Sequence, residues 1–243
     1  MKTLIVGDSH TAALHKGLAS LVAAGRSELA ARITIRPLGG GHLLPTPFFE
    51  DCGDHAAIVA PLYLKNFARL PPDAGFTGVI GLCMPLWPMR VQHKIVWSDH
   101  CLAPTLPGRH PISNAVFRQM VLADQAHVLR LIDLFRRQGI LVIAVSGPGL
   151  FRDHATVRKL PGHSALQMFQ TYRAIMLDQL EARKVPTVDI PRQCLDTEGY
   201  MTSDFRNEDP DDDHHANAAF GALMIDQIDL LVAGFPDQGQ AAR

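Results

Sequence analysis

The sequence predicts an α/β protein: a three-layer α/β/α sandwich around a central, mostly parallel five-stranded sheet. Three observations carry this. Short apolar runs recur along the chain, apolar at consecutive positions, as strands buried on both faces require. Longer segments with helical spacing separate them. Glycine-rich or polar breaks follow the strand-like runs, at Gly7-Asp8-Ser9, Gly39-Gly40-Gly41, after Gly81, and at Ser146-Gly147-Pro148-Gly149. Crossovers between parallel strands are right-handed and cover both faces of the sheet. Ligands collect at the carboxyl ends of such strands, where all of these breaks fall.

The elements follow in order. Lys2–Val6 is the first strand, and Thr11–Ala24 the first helix, with Leu14, Leu18, Leu21 and Val22 at helical spacing. Arg32–Arg36 (RITIR), Thr77–Leu82 (TGVIGL), Ile140–Val145 (ILVIAV) and Thr187–Ile190 supply four more strands. Ser113–Gln138, roughly His163–Lys184, and Asn217–Ala233 read as helices. Asp54–Arg69 reads equally as a helix or as a strand and turn. Residues 84–112 break the alternation. They carry both tryptophans, Trp87 and Trp97, with His93, His100, His110 and several prolines. A stretch of this length without regular pattern reads as a lid or binding loop, a long loop or small insertion within a single domain of residues 1–243.

Composition narrows the function. Of the 243 residues 47% are hydrophobic and 19% charged, enough to bury a sizeable core. The formal net charge is −1, which gives no basis for a polyanionic partner, so no nucleic acid is expected. Cys52, Cys83, Cys101 and Cys194 are widely spaced with no C-x-x-C, which excludes a disulfide framework and a zinc ribbon. The three or four apolar residues before Gly7 fall short of the roughly 7–15 of a signal-peptide core. No run approaches the roughly 20 apolar residues of a membrane span. A cytoplasmic location is the expectation.

Two stretches carry chemistry. In "VGDSH" a serine, Ser9, follows a strand and precedes a helix. The turn lifts its hydroxyl above the sheet, and the helix N-terminus favours negative charge nearby. Ser9 or Thr11 could equally serve as an N-cap. Near the other end, "DPDDDHHANAAFG" places carboxylates and two histidines just before the last helix. Asp212 and His215 are three apart, a spacing that lets a carboxylate orient an imidazole and stabilise the imidazolium formed when it takes a serine proton. Asp211 and His214 form the competing pair. The same cluster has the donors of a metal site, but no partner is spaced with it elsewhere, so no metal and no cofactor are expected.

Together the two ends resemble the SGNH/GDSL hydrolase superfamily. That family carries G-D-S after the first strand and D-x-x-H before the last helix. Gly7-Asp8-Ser9 matches the first block, and Asp212 and His215, followed by Ala216-Asn217 and Gly221, match the last. The resemblance runs in order along the whole chain and implies the flavodoxin-like SGNH hydrolase fold. It implies a Ser9–His215–Asp212 triad hydrolysing a carboxylic ester, an O-acetylated saccharide or a small acyl ester. A non-catalytic binding or regulatory domain, or an acyltransferase using the same triad, are the alternatives. The second block implies an oxyanion glycine, Gly41 or else Gly40, beside the Ser9 N–H. The third, G-x-N-D, is not matched: Gly81-Leu82-Cys83-Met84 places Cys83, a weak donor, in the asparagine slot of the oxyanion hole. Backbone N–H groups of residues 83–90, His42 or Asn114 are candidate substitutes. Asp8, His10, His42 and Trp87 are the expected substrate-binding residues.

Overall fold

The computed structural model describes residues 1–88, 91, 97, 99–102, 107–160 and 163–236. The expected position of His93 and much of the 84–112 stretch lie outside the described residues. The elements run β1 (Thr3–Gly7), α1 (Thr11–Ala23), α2 (Glu28–Arg32), β2 (Ile33–Pro37), β3 (Phe49–Asp51), β4 (Ala56–Ile58), α3 (Pro61–Leu64), β5 (Arg69–Leu70) and β6 (Val79–Cys83). They continue with β7 (His100–Leu102), β8 (His110–Ile112), α4 (Asn114–Asp124), α5 (Ala126–Arg137), β9 (Leu141–Val145), α6 (Ala155–Lys159), α7 (Ser164–Ala182), β10 (Thr187–Val188) and α8 (Ala218–Ala233).

Five strands form a parallel sheet in the order β10-β9-β6-β1-β2. Counted along the chain this is the doubly wound order 2-1-3-4-5, whose ligand crevice opens where the order reverses, between β1 and β6. The burial of each strand follows its place. Every residue of β1 and β6 is buried, because helices cover both faces of the centre. At the edge, β2 alternates, with Ile33 and Ile35 inward and Arg36 outward. One core layer joins Ile5, Val79, Cys83 and Ile143 to Leu14 of α1 and to Phe220 and Met224 of α8. The other joins Leu4, Val6, Ile80 and Leu82 to Phe117, Ile132, Phe135 and Tyr172.

Two expectations change. The single helix expected over Ser113–Gln138 is two helices, broken at Gln125, where the backbone leaves helical geometry. The buried Gln125 side chain donates to the Tyr172 hydroxyl at 2.6 Å, a tertiary hydrogen bond that no periodicity announces. The ambiguous Asp54–Arg69 stretch supplies β4 and α3, and β3-β4-β5 form a small antiparallel sheet. Strands of two and three residues are too short to leave a pattern. In the 84–112 stretch Met84, Leu86, Trp87 and Trp97 are buried, and β7 pairs with β8. No described helix is long and apolar enough to cross a membrane.

Candidate active site

The site forms where two helices begin side by side. Beyond β1 the chain turns sharply at Asp8. Its carboxylate accepts from the His10 N–H at 3.0 Å, and its carbonyl accepts from the Thr11 N–H and hydroxyl. Asp8, not Ser9, therefore tethers the start of α1, and the Ser9 hydroxyl is left for other work. Gly7 allows the close approach that sets this turn: a Cβ there would stand 2.2 Å from the Cys83 carbonyl oxygen. Ahead of α8, Asn217 caps the helix through the N–H groups of Ala219 and Phe220. Asp213 accepts from the N–H of Ala155 at the start of α6, and so pins the loop that carries His215.

The two chain ends meet as a relay. His215 Nε2 lies 2.8 Å from Ser9 Oγ, and His215 Nδ1 lies 2.8 Å from Asp212 Oδ2. Asp212 also accepts from the backbone N–H groups of His214 and His215 and from the Asn207 amide. Of the two registers, Asp212 with His215 reaches Ser9. The Asp211 N–H donates to Asp209, and His214 turns its Nδ1 toward Asp212 and Asp213.

Burial and hydrogen bonding set the charge states of Asp212 and His215. Burial acts to raise the Asp212 carboxyl, but the donors from His215 and His214 outweigh it and hold the group below its ordinary value. Burial, then the neighbouring His214, pull His215 below the usual imidazole range, against the opposing pull of Asp212. Both partners shift down for compatible reasons. The carboxylate is held ionised by backbone donors, and the imidazole is held neutral by desolvation.

Other expected residues occupy different places. Asp8, His10 and Trp87, expected to bind substrate, are all buried. His10 packs at a tilt between Trp87, at 4.5 Å between ring centroids, and His215, at 5.0 Å. Trp87 also packs on Phe169. The His10 and Trp87 rings thus join the loops after β1 and β6 behind His215. Burial pushes the Asp8 carboxyl up to about 7.

Cys83, expected in the oxyanion hole, pairs in register with Gly7 and packs in the core layer beneath α1 and α8. Strand alternation decides this, since Val79, Gly81 and Cys83 face the same side as Ile5. Burial holds its thiol protonated, well above the ordinary value. Gly41 is buried beside the turn at Asp8, where a Cβ would lie 3.1 Å from Asp8 Oδ2. Gly40 lies against the exposed His42 ring, and its carbonyl accepts from Tyr63. Asn114 is exposed at the start of α4.

Sequence reasoning missed an open groove of about 520 Å³ that reaches Ser9, lined by Ala12, Ile35 and Pro37 with Lys16 at its rim. The inward alternation of Ile35 on β2 was the available signal. Gly147, in the expected break after β9, lies against the site: a Cβ there would stand 3.1 Å from the His10 ring, a contact the sequence did not announce.

No family model and no curated protein sequence matches the chain. Solved structures do. A GDSL-like lipase from Bacteroides thetaiotaomicron superposes with a TM-score of 0.53 at 12% identity, over 96% of this chain and 87% of that one. An acetyl xylan esterase superposes with a TM-score of 0.52 at 15% identity, over 96% of this chain and all of that one. At such identities the likeness speaks to architecture, and it extends over nearly the whole chain. The protein has the fold of the SGNH/GDSL hydrolases.

Proposed function

We propose that the protein is a serine-dependent hydrolase of carboxylic esters. The observation that carries this is the continuous relay from Ser9 Oγ through His215 to Asp212, with both contacts at 2.8 Å. The nucleophile stands at the carboxyl edge of the sheet's switch point, and an open groove leads to it.

In the reaction, Ser9 Oγ attacks the ester carbonyl while His215 Nε2 takes its proton. Asp212 keeps the Nδ1–H tautomer in place and stabilises the imidazolium. The oxyanion is received by the backbone N–H groups of Ser9 and Gly41, with Gly40 adjacent. Each such donor is worth about 10²–10³ in rate. The imidazolium then protonates the departing alcohol. A water, deprotonated by the same histidine, attacks the acyl-Ser9 ester; the imidazolium returns that proton to Ser9 Oγ as the acyl–oxygen bond breaks, and the carboxylic acid leaves. Ala12, Ile35 and Pro37 offer apolar contact to the part of the ester that enters the groove. The substrate class this supports is a small acyl ester or an O-acetylated saccharide.

The test is active-site labelling with a fluorophosphonate, together with hydrolysis of p-nitrophenyl acetate. The wild type should label and turn over, and Ser9→Ala should do neither. Labelling that survives in Ser9→Ala, or a wild type inert to both reagents, would overturn the reading.

A further inference from the structure

His214 stands beside the relay without belonging to it. Its Nδ1 lies 3.3 Å from Asp212 Oδ1 and 3.4 Å from Asp213 Oδ1, and its ring centroid is 3.9 Å from that of His215. Asp212, His214 and His215 bring ligand atoms within 4.8 Å of one another, the one grouping of this kind among the described residues. Zinc binds imidazole nitrogen and carboxylate oxygen at about 2.0–2.2 Å, so neighbouring ligands of a tetrahedral shell stand about 3.3 Å apart. The His214–Asp212 pair already has that spacing. Two imidazoles and a carboxylate also match the ligand preference of zinc-class ions. All three side chains are partly exposed, His214 most at 35%, which leaves the pair open to an ion from solvent.

We propose that Asp212, His214 and His215 form a binding site for a divalent ion of the zinc class, and that the bound ion switches off ester hydrolysis. The inhibitory half rests on the serine-hydrolase reading above. Its logic is a competition for one lone pair. With Nδ1–H directed at Asp212, the lone pair of His215 is on Nε2, the atom that receives the Ser9 proton. An ion on Nε2 occupies that lone pair. An ion on Nδ1 displaces the N–H to Nε2, with no net release of a proton, and Ser9 again faces no acceptor. Either mode leaves the nucleophile without its base.

The experiment titrates zinc chloride into the full chain in two arms. Binding is measured on Ser9→Ala by competition with a chromophoric chelator, so that this arm needs no activity. Inhibition is measured on the chain with Ser9 intact, by p-nitrophenyl acetate hydrolysis and fluorophosphonate labelling. One zinc should bind per chain, and adding His214→Gln should weaken it about tenfold or more. Hydrolysis and labelling should fall with zinc and recover with EDTA. His214→Gln, scored against its own zinc-free rate, should need correspondingly more zinc, and His214→Asn should agree with it. Equal zinc affinity with and without His214 overturns the site. His214-dependent binding that leaves labelling untouched overturns the inhibition. A chain that neither labels nor hydrolyses without zinc defeats the hydrolase reading and the inhibition built on it, while the binding arm still decides the site.

Discussion

Gly221 of α8 lies so close to Ala13 of α1 that a Cβ on it would stand 1.8 Å from the Ala13 carbonyl oxygen. The contact is reciprocal, since a Cβ on Gly17 would lie 2.2 Å from the Ala222 nitrogen. The two helices thus meet backbone to backbone, and their N-terminal ends bring Ser9 and His215 together. Gly221→Ala should destabilise the fold by about 1–3 kcal/mol or more through overpacking. It should also reduce ester hydrolysis at temperatures where the chain stays folded. Gly234→Ala, whose nearest contact would be an ordinary 3.4 Å, is the control. Thermal melts of both variants decide it, and equal Tm values would show that the helices part at no cost.

The relay predicts non-additive losses. Ser9→Ala and His215→Ala should each remove nearly all turnover, and the double variant should be little worse, because the groups act as one unit. Asp212→Asn should also lose much of kcat, since an amide in place of the carboxylate no longer selects the Nδ1–H tautomer. Multiplying losses in the double variant would argue for two independent roles.

Asp8 predicts a pH dependence of stability. Its folded value of about 7 lies above the ordinary 3.8, so the folded state binds the proton more tightly than the unfolded chain. That stabilisation is fully present below pH 4 and is lost as the pH rises through 7. Asp8→Asn has no proton to lose and should flatten this part of the profile. Urea midpoints of the two proteins between about pH 4 and 8 measure the difference, and parallel curves would mean that Asp8 titrates alike in both states.

His10 is 2% exposed, and neither ring nitrogen has a hydrogen-bond partner. Its ring serves by shape, filling the gap between Trp87 and His215. His10→Phe should therefore keep the fold at least as stable as wild type, because it removes buried unpaired polar atoms. His10→Ala should lose stability by cavity formation and lower kcat more than it raises KM. Failure of Phe alone, with a normal Tm, would mean that a ring nitrogen has a task in the reaction.

Cys83→Asn tests where the third block falls. Were the side chain directed at the oxyanion, an amide would raise kcat. Packed beneath α1 and α8, an amide instead buries unpaired polar atoms, which costs about 1–3 kcal/mol in protein cores. A lower Tm with no gain in kcat is expected from steady-state kinetics and melting.

Much was legible in the chain alone because it rests on local rules. Consecutive apolar runs marked strands covered on both faces, and all five expected strands formed within one or two residues of their expected ends. G-D-S after a strand and D-x-x-H before a helix are short-range patterns, and they marked the residues that the fold brings within hydrogen-bonding reach. What the tertiary structure decided depends on relations across the chain. The helix breaks at Gln125, whose buried side chain bonds to Tyr172, 47 residues away. The inward direction of Cys83 comes from its register with Gly7, which no motif states. His10 and Trp87 are buried where the loops after β1 and β6 meet the one that carries His215, and polarity along a sequence does not reveal which loops meet. The meeting of Ser9 and His215, 206 residues apart, was written in residue types, but its geometry was fixed by two glycines that let their helices touch.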